Sequence, residues 1–191
     1  RFSADCDIVI KDAKELNKIG KILLKRGYKK EEINAEAQYS GAFLRYGKGL
    51  ESNFAVSMDI LIHAVTDRMT GTAFSAEWVF ENSSKKVLKG KTIAEELKLR
   101  IINIDALLVM KIISCRPTDI RDAFMMLPNA KDKGWIKSEI TVRYDFRDRI
   151  SKIIDKVASK QFKDGLSGVH GYFDAKVFEK HKKAILTFLD E

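Results

Sequence analysis

The most constraining feature of this chain is Asp5-Cys6-Asp7 followed at once by Ile8-Val9-Ile10, two carboxylates at the head of a β-branched run. Side chains in a strand alternate, so Asp5 and Asp7 share one face and Cys6, Ile8 and Ile10 the other. Two like charges so close need compensation. A hard divalent cation supplies it, because Mg²⁺ takes one or two carboxylates and completes its shell with water and phosphate oxygens. The competing reading is a solvated face of an edge strand.

A third carboxylate occupies the middle of another apolar run. In the segment from Asn53 to Val65, Asp59 shares a strand face with Ser57, Leu61 and His63. An unpaired charge there is costly to bury. If this strand pairs with the first, Asp5, Asp7 and Asp59 meet at one metal-sized site. His63 at such a position is more often a hydrogen-bonded structural residue than a ligand.

Four blocks in order carry a resemblance: Arg1-x-Ser3-x-Asp5-x-Asp7 with its aliphatic strand, Met58-Asp59-Ile60-Leu61, Asp105 to Lys111, and Arg116-Pro117-Thr118-Asp119-Ile120-Arg121-Asp122. Together they resemble the nucleotidyltransferase superfamily of the DNA polymerase β type. The likeness is greatest to the small prokaryotic branch of minimal nucleotidyltransferases and abortive-infection, AbiEii-like toxin enzymes, and it covers about residues 1 to 128. It implies an α/β (α+β) fold, a mixed β-sheet flanked by helices and followed by a C-terminal helical domain. It also implies transfer of a nucleoside monophosphate from a nucleoside triphosphate (NTP), ATP for instance, to an acceptor hydroxyl. Asp5, Asp7 and Asp59 would then be catalytic and hold Mg²⁺ or, in its place, Mn²⁺. Arg1, Ser3, Lys111, Arg116 and Asp119 would serve the nucleotide, and an antitoxin would be a partner. The family's glycine-rich turn precedes its Asp-x-Asp; here the sequence opens at Arg1, without a methionine, and two expectations stand: the turn lies upstream, or it is missing and the catalytic activity with it. Two rivals remain open: a metal-dependent nuclease, and a binding or regulatory module that keeps the fold without the chemistry. Against the nuclease, Ile62 and His63 follow where a lysine is typical.

Composition narrows the partners. Thirty-five basic against 27 acidic residues leave +8, which favours an RNA end such as tRNA as the acceptor over a protein hydroxyl or a small molecule. Lys11, Lys14, Lys18, Lys21 and Lys25 form a stripe along a helix expected over Lys11 to Arg26, whose apolar side is Ala13, Leu16, Gly20, Leu23 and Leu24. That stripe reads either as a solvated face or as an RNA-contacting ridge. No apolar run approaches the ~18 residues of a membrane span and no signal peptide is visible. With Cys6 and Cys115 read as buried thiols, a reducing cytoplasm is expected.

Further elements follow in order. A short strand is expected at Ala42 to Tyr46, then a turn at Gly47-Lys48-Gly49, a short helix at Ser75 to Glu81, and strands at Lys85 to Lys89 and Leu97 to Ile102. Trp78 and Phe80 are read as core packing in preference to base stacking. The chain changes character at Asn103 to Asp105, which sets expected domains of 1–103 and 104–191. Ala106 to Ile113 is a nearly apolar helix capped by Asn103 or Asp105, and Thr118 caps the next, so a helical hairpin brings Lys111 to Asp119 or Asp122. That cluster reads either as a buried ion pair or as a phosphate contact. Beyond Trp135 the period is helical, with Phe146, Ile150, Ile153, Ile154, Val157 and Phe162 on one face, Phe173, Val177, Phe178, Ile185, Phe188 and Leu189 on another, and a loop from Leu166 to Gly171 between them.

Overall fold

A computed structural model describes residues 4–32, 43–50, 54–90, 94–170 and 174–188. The protein is mixed α/β, and its contacts divide it into two compact units, one ending at Glu81 and the other starting at Asn82.

In the first unit, β1 (Asp5–Ile10), α1 (Lys14–Lys25), β2 (Lys29–Lys30), β3 (Phe43–Gly49) and β4 (Ala55–Ile62) build a four-stranded mixed sheet in the order β1-β4-β3-β2. β1 runs parallel to β4, whereas β3 is antiparallel to β4 and β2 to β3. Alternation gives the sheet one apolar face. Ile10, Tyr46, Ile60 and Ile62 are buried there with Leu23 of α1, and Ile8, Leu16, Ile19, Leu44 and Met58 pack around them. Each full burial of such a side chain stabilises by about 1.5–3 kcal/mol.

Helix α1 is shorter than expected, and Lys11 precedes it. Asp12 Oδ1 accepts the Lys14 amide at 2.8 Å and so fixes its start. Its inner side is Leu16, Ile19, Gly20 and Leu23; Leu24 and Ala13 face water. The pairing of Gly20 with Tyr46 sets this rotation, because a Cβ on Gly20 would lie 2.7 Å from the Tyr46 hydroxyl.

The Gly47-Lys48-Gly49 turn does not form; β3 continues through it to Gly49. Gly47 instead leaves room for the Glu31 side chain, whose flexible end would have to swing aside for a Cβ there. Ala42, the expected start of this strand, lies outside the described residues.

β4 ends just before His63, whose φ of 65° is left-handed. The kink leads into a small hairpin, β5 (Ala64–Thr66) with β6 (Ala73–Ser75), and then α2 (Ala76–Glu81). Buried Asp67 closes the hairpin by accepting the Thr70 amide and hydroxyl at 2.9 and 2.8 Å. Ser75 Oγ caps α2 through the Trp78 amide, and the Trp78 ring lies 4.8 Å from that of Phe74, the packing role expected of it.

In the second unit, β7 (Ser83–Lys89) and β8 (Glu96–Ile102) form a two-stranded antiparallel ribbon. Sequence character placed these strands in the first domain; by contacts they fall with the helices that follow. α3 (Ile104–Ser114) is the apolar centre, with Ala106, Leu108, Val109, Ile112 and Ile113 buried, and it packs on α4 (Pro117–Met126), α5 (Lys133–Arg143) and α6 (Phe146–Ala158). Asn103 is the N-cap residue of α3; Asp105 instead anchors the start of α5, accepting the Lys131 and Asp132 amides at 3.0 and 3.1 Å. α4 opens on Pro117 at its first position with Arg116 as N-cap, not Thr118, because proline is preorganised for that place.

The expected loop from Leu166 is helical as far as His170, in α7 (Lys160–His170), which α8 (Ala175–Phe188) follows. Phe162 and Leu166, four residues apart, are both buried, and that shared face outweighs the low helix propensity of Gly165 and Gly168. Phe124 of α4 gathers Phe162, Phe178 and His181 around it at 5.1–5.4 Å. Val177 is exposed instead of facing this core, and Phe173 and Leu189 lie outside the described residues. No helix among the described residues is long and apolar enough to cross a membrane.

Replacing Gly20 with Ala is expected to lower stability by about 1–3 kcal/mol despite alanine's better helix propensity, since the added methyl must displace the Tyr46 ring. Urea unfolding of G20A beside the wild type, with Tyr46→Phe as the relieving second change, measures it.

Candidate functional site

The parallel register of β1 on β4 sets Asp7 directly beside Asp59 and Asp5 beside Ser57. All four lie on the face opposite the apolar core. Ser57 Oγ donates to Asp5 Oδ1 at 2.6 Å, which turns that carboxylate toward β4. Asp5 and Asp7 are exposed, while the Asp59 side chain retains 14% exposure.

Arg45, directly across from Asp59 on β3, completes the row. Its Nε donates to Asp59 Oδ1 at 2.7 Å and its Nη2 to Oδ2 at 2.6 Å, a bidentate pair. The hydrogen bonds to Asp59 raise the Arg45 guanidinium still further above its ordinary value. Sequence reasoning missed Arg45. Its partner is fourteen residues away, and the glycines of Gly47-Lys48-Gly49 suggest a turn directly after its strand, so no local spacing points to the contact.

Asp5 and Asp7 present hard oxygen donors on one accessible face, a donor set that suits Mg²⁺ together with water and phosphate oxygens. Asp59 has both oxygens on Arg45 in this conformation. Among the described residues, no three His, Cys, Asp or Glu side chains assemble into a metal-ligating group. Arg1 and Ser3 lie outside the described residues.

His63 leaves the face of Asp59 because of its left-handed backbone. Its Nδ1 sits 2.8 Å from the Lys11 carbonyl and its amide bonds Ile10, so it ties the end of β4 to the end of β1. Cys6, expected to be buried, is exposed; Cys115 is partly covered and caps α3 in the left-handed conformation. Lys14, Lys18, Lys21 and Lys25 form an exposed row on α1, and the Lys11 ammonium stands 4.9 Å above the Phe80 ring.

The second constellation lies between α3 and α4. Lys111 Nζ meets Asp119 Oδ1 at 2.7 Å and Asp122 Oδ2 at 2.9 Å, so the helical hairpin brings the lysine to both acids. Arg116 Nε reaches Asp119 Oδ2 at 2.9 Å and Ser114 Oγ at 2.7 Å. The Asp119 side chain is 4% exposed and Arg116 is 52% exposed, so an accessible cation covers a buried acid. Burial pulls the Lys111 ammonium down, but its hydrogen bonds to Asp119 and Asp122 outweigh this and hold it above the ordinary lysine value. Burial likewise pushes Asp119 up, and the hydrogen bond and charge of Lys111, with Ser114 and Arg116, more than reverse it.

No protein-family model matches the chain, and a comparison with curated proteins finds no match.

Two outcomes are expected from these contacts. Arg45→Gln should lower stability by about 1–2 kcal/mol by stranding a largely covered carboxylate, and adding Asp59→Asn should recover part of it in a double-mutant cycle. Asp119, lowered by folding, stabilises fully above about pH 3.9 and loses that contribution as pH falls through its folded value; Lys111, raised by folding, contributes fully below about pH 10.4 and loses it as pH rises further. Lys111→Met, which leaves Asp119 only Arg116 as a charged partner, should cost about 2–3 kcal/mol at neutral pH and flatten the alkaline limb of a stability-versus-pH curve.

Proposed function

We propose that the chain is a Mg²⁺-dependent nucleotidyltransferase that moves a nucleoside monophosphate from an NTP to an acceptor hydroxyl. The observation that carries this reading is the register that sets Asp7 beside Asp59 and Asp5 beside Ser57 on the exposed face of a mixed sheet. Asp5 and Asp7 would hold the ion, which when bound neutralises the triphosphate and polarises the phosphoryl oxygens. Ser57 orients Asp5. Asp59, fixed by Arg45, positions the acceptor side of the same face. Transfer of this kind depends mostly on positioning and charge neutralisation, so a small set of carboxylates is sufficient.

The acceptor in this proposal is a polyanion such as an RNA or tRNA end, supported by the +8 charge and the exposed Lys14, Lys18, Lys21 and Lys25 row. Lys111 and Asp119 are assigned to holding α3 against α4, because each is already satisfied within the hairpin. An antitoxin partner belongs to this proposal through the family resemblance, and a cytoplasmic setting through the free thiols of Cys6 and Cys115.

A second reading is favoured by the bidentate Arg45 pair, which occupies both oxygens of Asp59. That arrangement suits a nucleotidyltransferase-like fold used for binding without chemistry.

The deciding experiment supplies each α-³²P-labelled NTP with Mg²⁺ to the full-length protein, with total RNA and total protein as acceptors. Label incorporated by the wild type and lost in Asp5→Ala/Asp7→Ala is the expected result. Absence of label from a folded protein with every nucleotide would overturn the transferase reading in favour of the binding module.

A further inference from the structure

The β7–β8 ribbon carries most of its cations on one face and its leucines on the other. Its register pairs Lys85 with Arg100, Val87 with Lys98, Lys86 with Leu99 and Leu88 with Leu97. Residues directly opposite in an antiparallel pair point the same way. Lys85, Val87, Lys98 and Arg100 therefore lie on one face, and Leu88, Leu97 and Leu99 lie with Lys86 on the other. The three leucines are 46%, 57% and 41% exposed, and among the described residues no third strand pairs with either edge. A two-stranded ribbon of this kind is marginal in water, and its open edges offer a row of backbone donors and acceptors.

We propose that an edge of this ribbon takes up an extended segment of a partner protein in which acidic and apolar residues alternate. Pairing through the backbone makes the added segment a third strand, and its period of two sends every second side chain to each face. Apolar residues then cover the leucines while carboxylates meet the cations. The ribbon already contains one such match on its cationic face, Lys89 with Glu96 at 2.7 Å.

The two-sided chemistry decides against other occupants. A nucleic-acid backbone would neutralise Lys85, Lys98 and Arg100 but leave the leucines in water. A second copy would cover leucine with leucine, yet it brings another +8 chain and no excess of carboxylates. An acidic and apolar strand satisfies both faces at once.

The test uses the full chain and a short fluorescein-labelled peptide of alternating Glu and Val, followed by anisotropy. A peptide of the same composition with the Glu and Val residues in separate blocks is the control, and a short single-stranded RNA is the rival ligand. Binding of the alternating peptide is expected to weaken about tenfold or more in Lys85→Glu/Lys98→Glu and in Leu97→Thr/Leu99→Thr, since each removes one face of the match. On the wild-type protein, N-methylation of every second peptide amide should abolish binding for the set that faces the ribbon, which keeps the proposal testable if a variant fails to fold. Equal binding of the block peptide overturns it. So does RNA binding lost with the lysine variant but kept by the leucine variant, or a self-association that the leucine variant dissolves while no peptide binds.

Discussion

The register of β1 against β4 governs the first unit, and it is set by apolar burial on the face away from the carboxylates. A slip of β4 by one residue would turn Met58, Ile60 and Ile62 away from this core and forfeit roughly 5–9 kcal/mol. Holding Asp7 beside Asp59 costs far less, about 1–3 kcal/mol for two part-solvated charges. The core therefore dictates that the acids stand side by side. Arg45, placed on the same face by the antiparallel pairing of β3, offsets much of the remaining repulsion.

The second unit solves a related problem with less solvent. Asp119 is almost completely covered, a position tolerable for a carboxylate when hydrogen bonds and opposite charge surround it. Lys111 supplies both from α3, Ser114 contributes from the end of the same helix and Arg116 from the connection, and the acid's place in the first turn of α4 adds the favourable end of the helix dipole. The cluster fixes the angle of the helical hairpin, whereas Phe124 and the rings around it bind α4 to the helices that follow. Electrostatic register and aromatic packing thus hold opposite sides of the same helix.

The two units also differ in how they treat sheet edges. In the first, α2 packs on β1 and the Lys48 ammonium reaches the Arg26 carbonyl across the β2 side. In the second, the ribbon of β7 and β8 presents both faces and its leucines to solvent. Native proteins shield such strands or use them for association. The bias of cations to one face of the ribbon and leucines to the other gives that association a definite chemistry.

Several decisive features were legible in the sequence because they depend on local period. Alternation put Asp5 and Asp7 on one face and Ser57 with Asp59 on another strand's face; the apolar run from Ala106 to Ile113 marked a buried helix; and the spacing of Lys111 from Asp119 and Asp122 anticipated their meeting across a hairpin. Other features depend on partners remote in the chain. Arg45 acquires its role from a residue on the next strand, Gly47 from the approach of Glu31, the inner side of α1 from the contact of Gly20 with Tyr46, and the left-handed turn at His63 from the Lys11 carbonyl. Leu166 to His170 looked like a loop because glycine and serine weigh against a helix locally, yet burial of Phe162 and Leu166 outweighs that propensity. Sequence by itself determined which residues share a face, since side-chain period is a property of the backbone; tertiary structure decided which faces meet, because that choice depends on filling a common core.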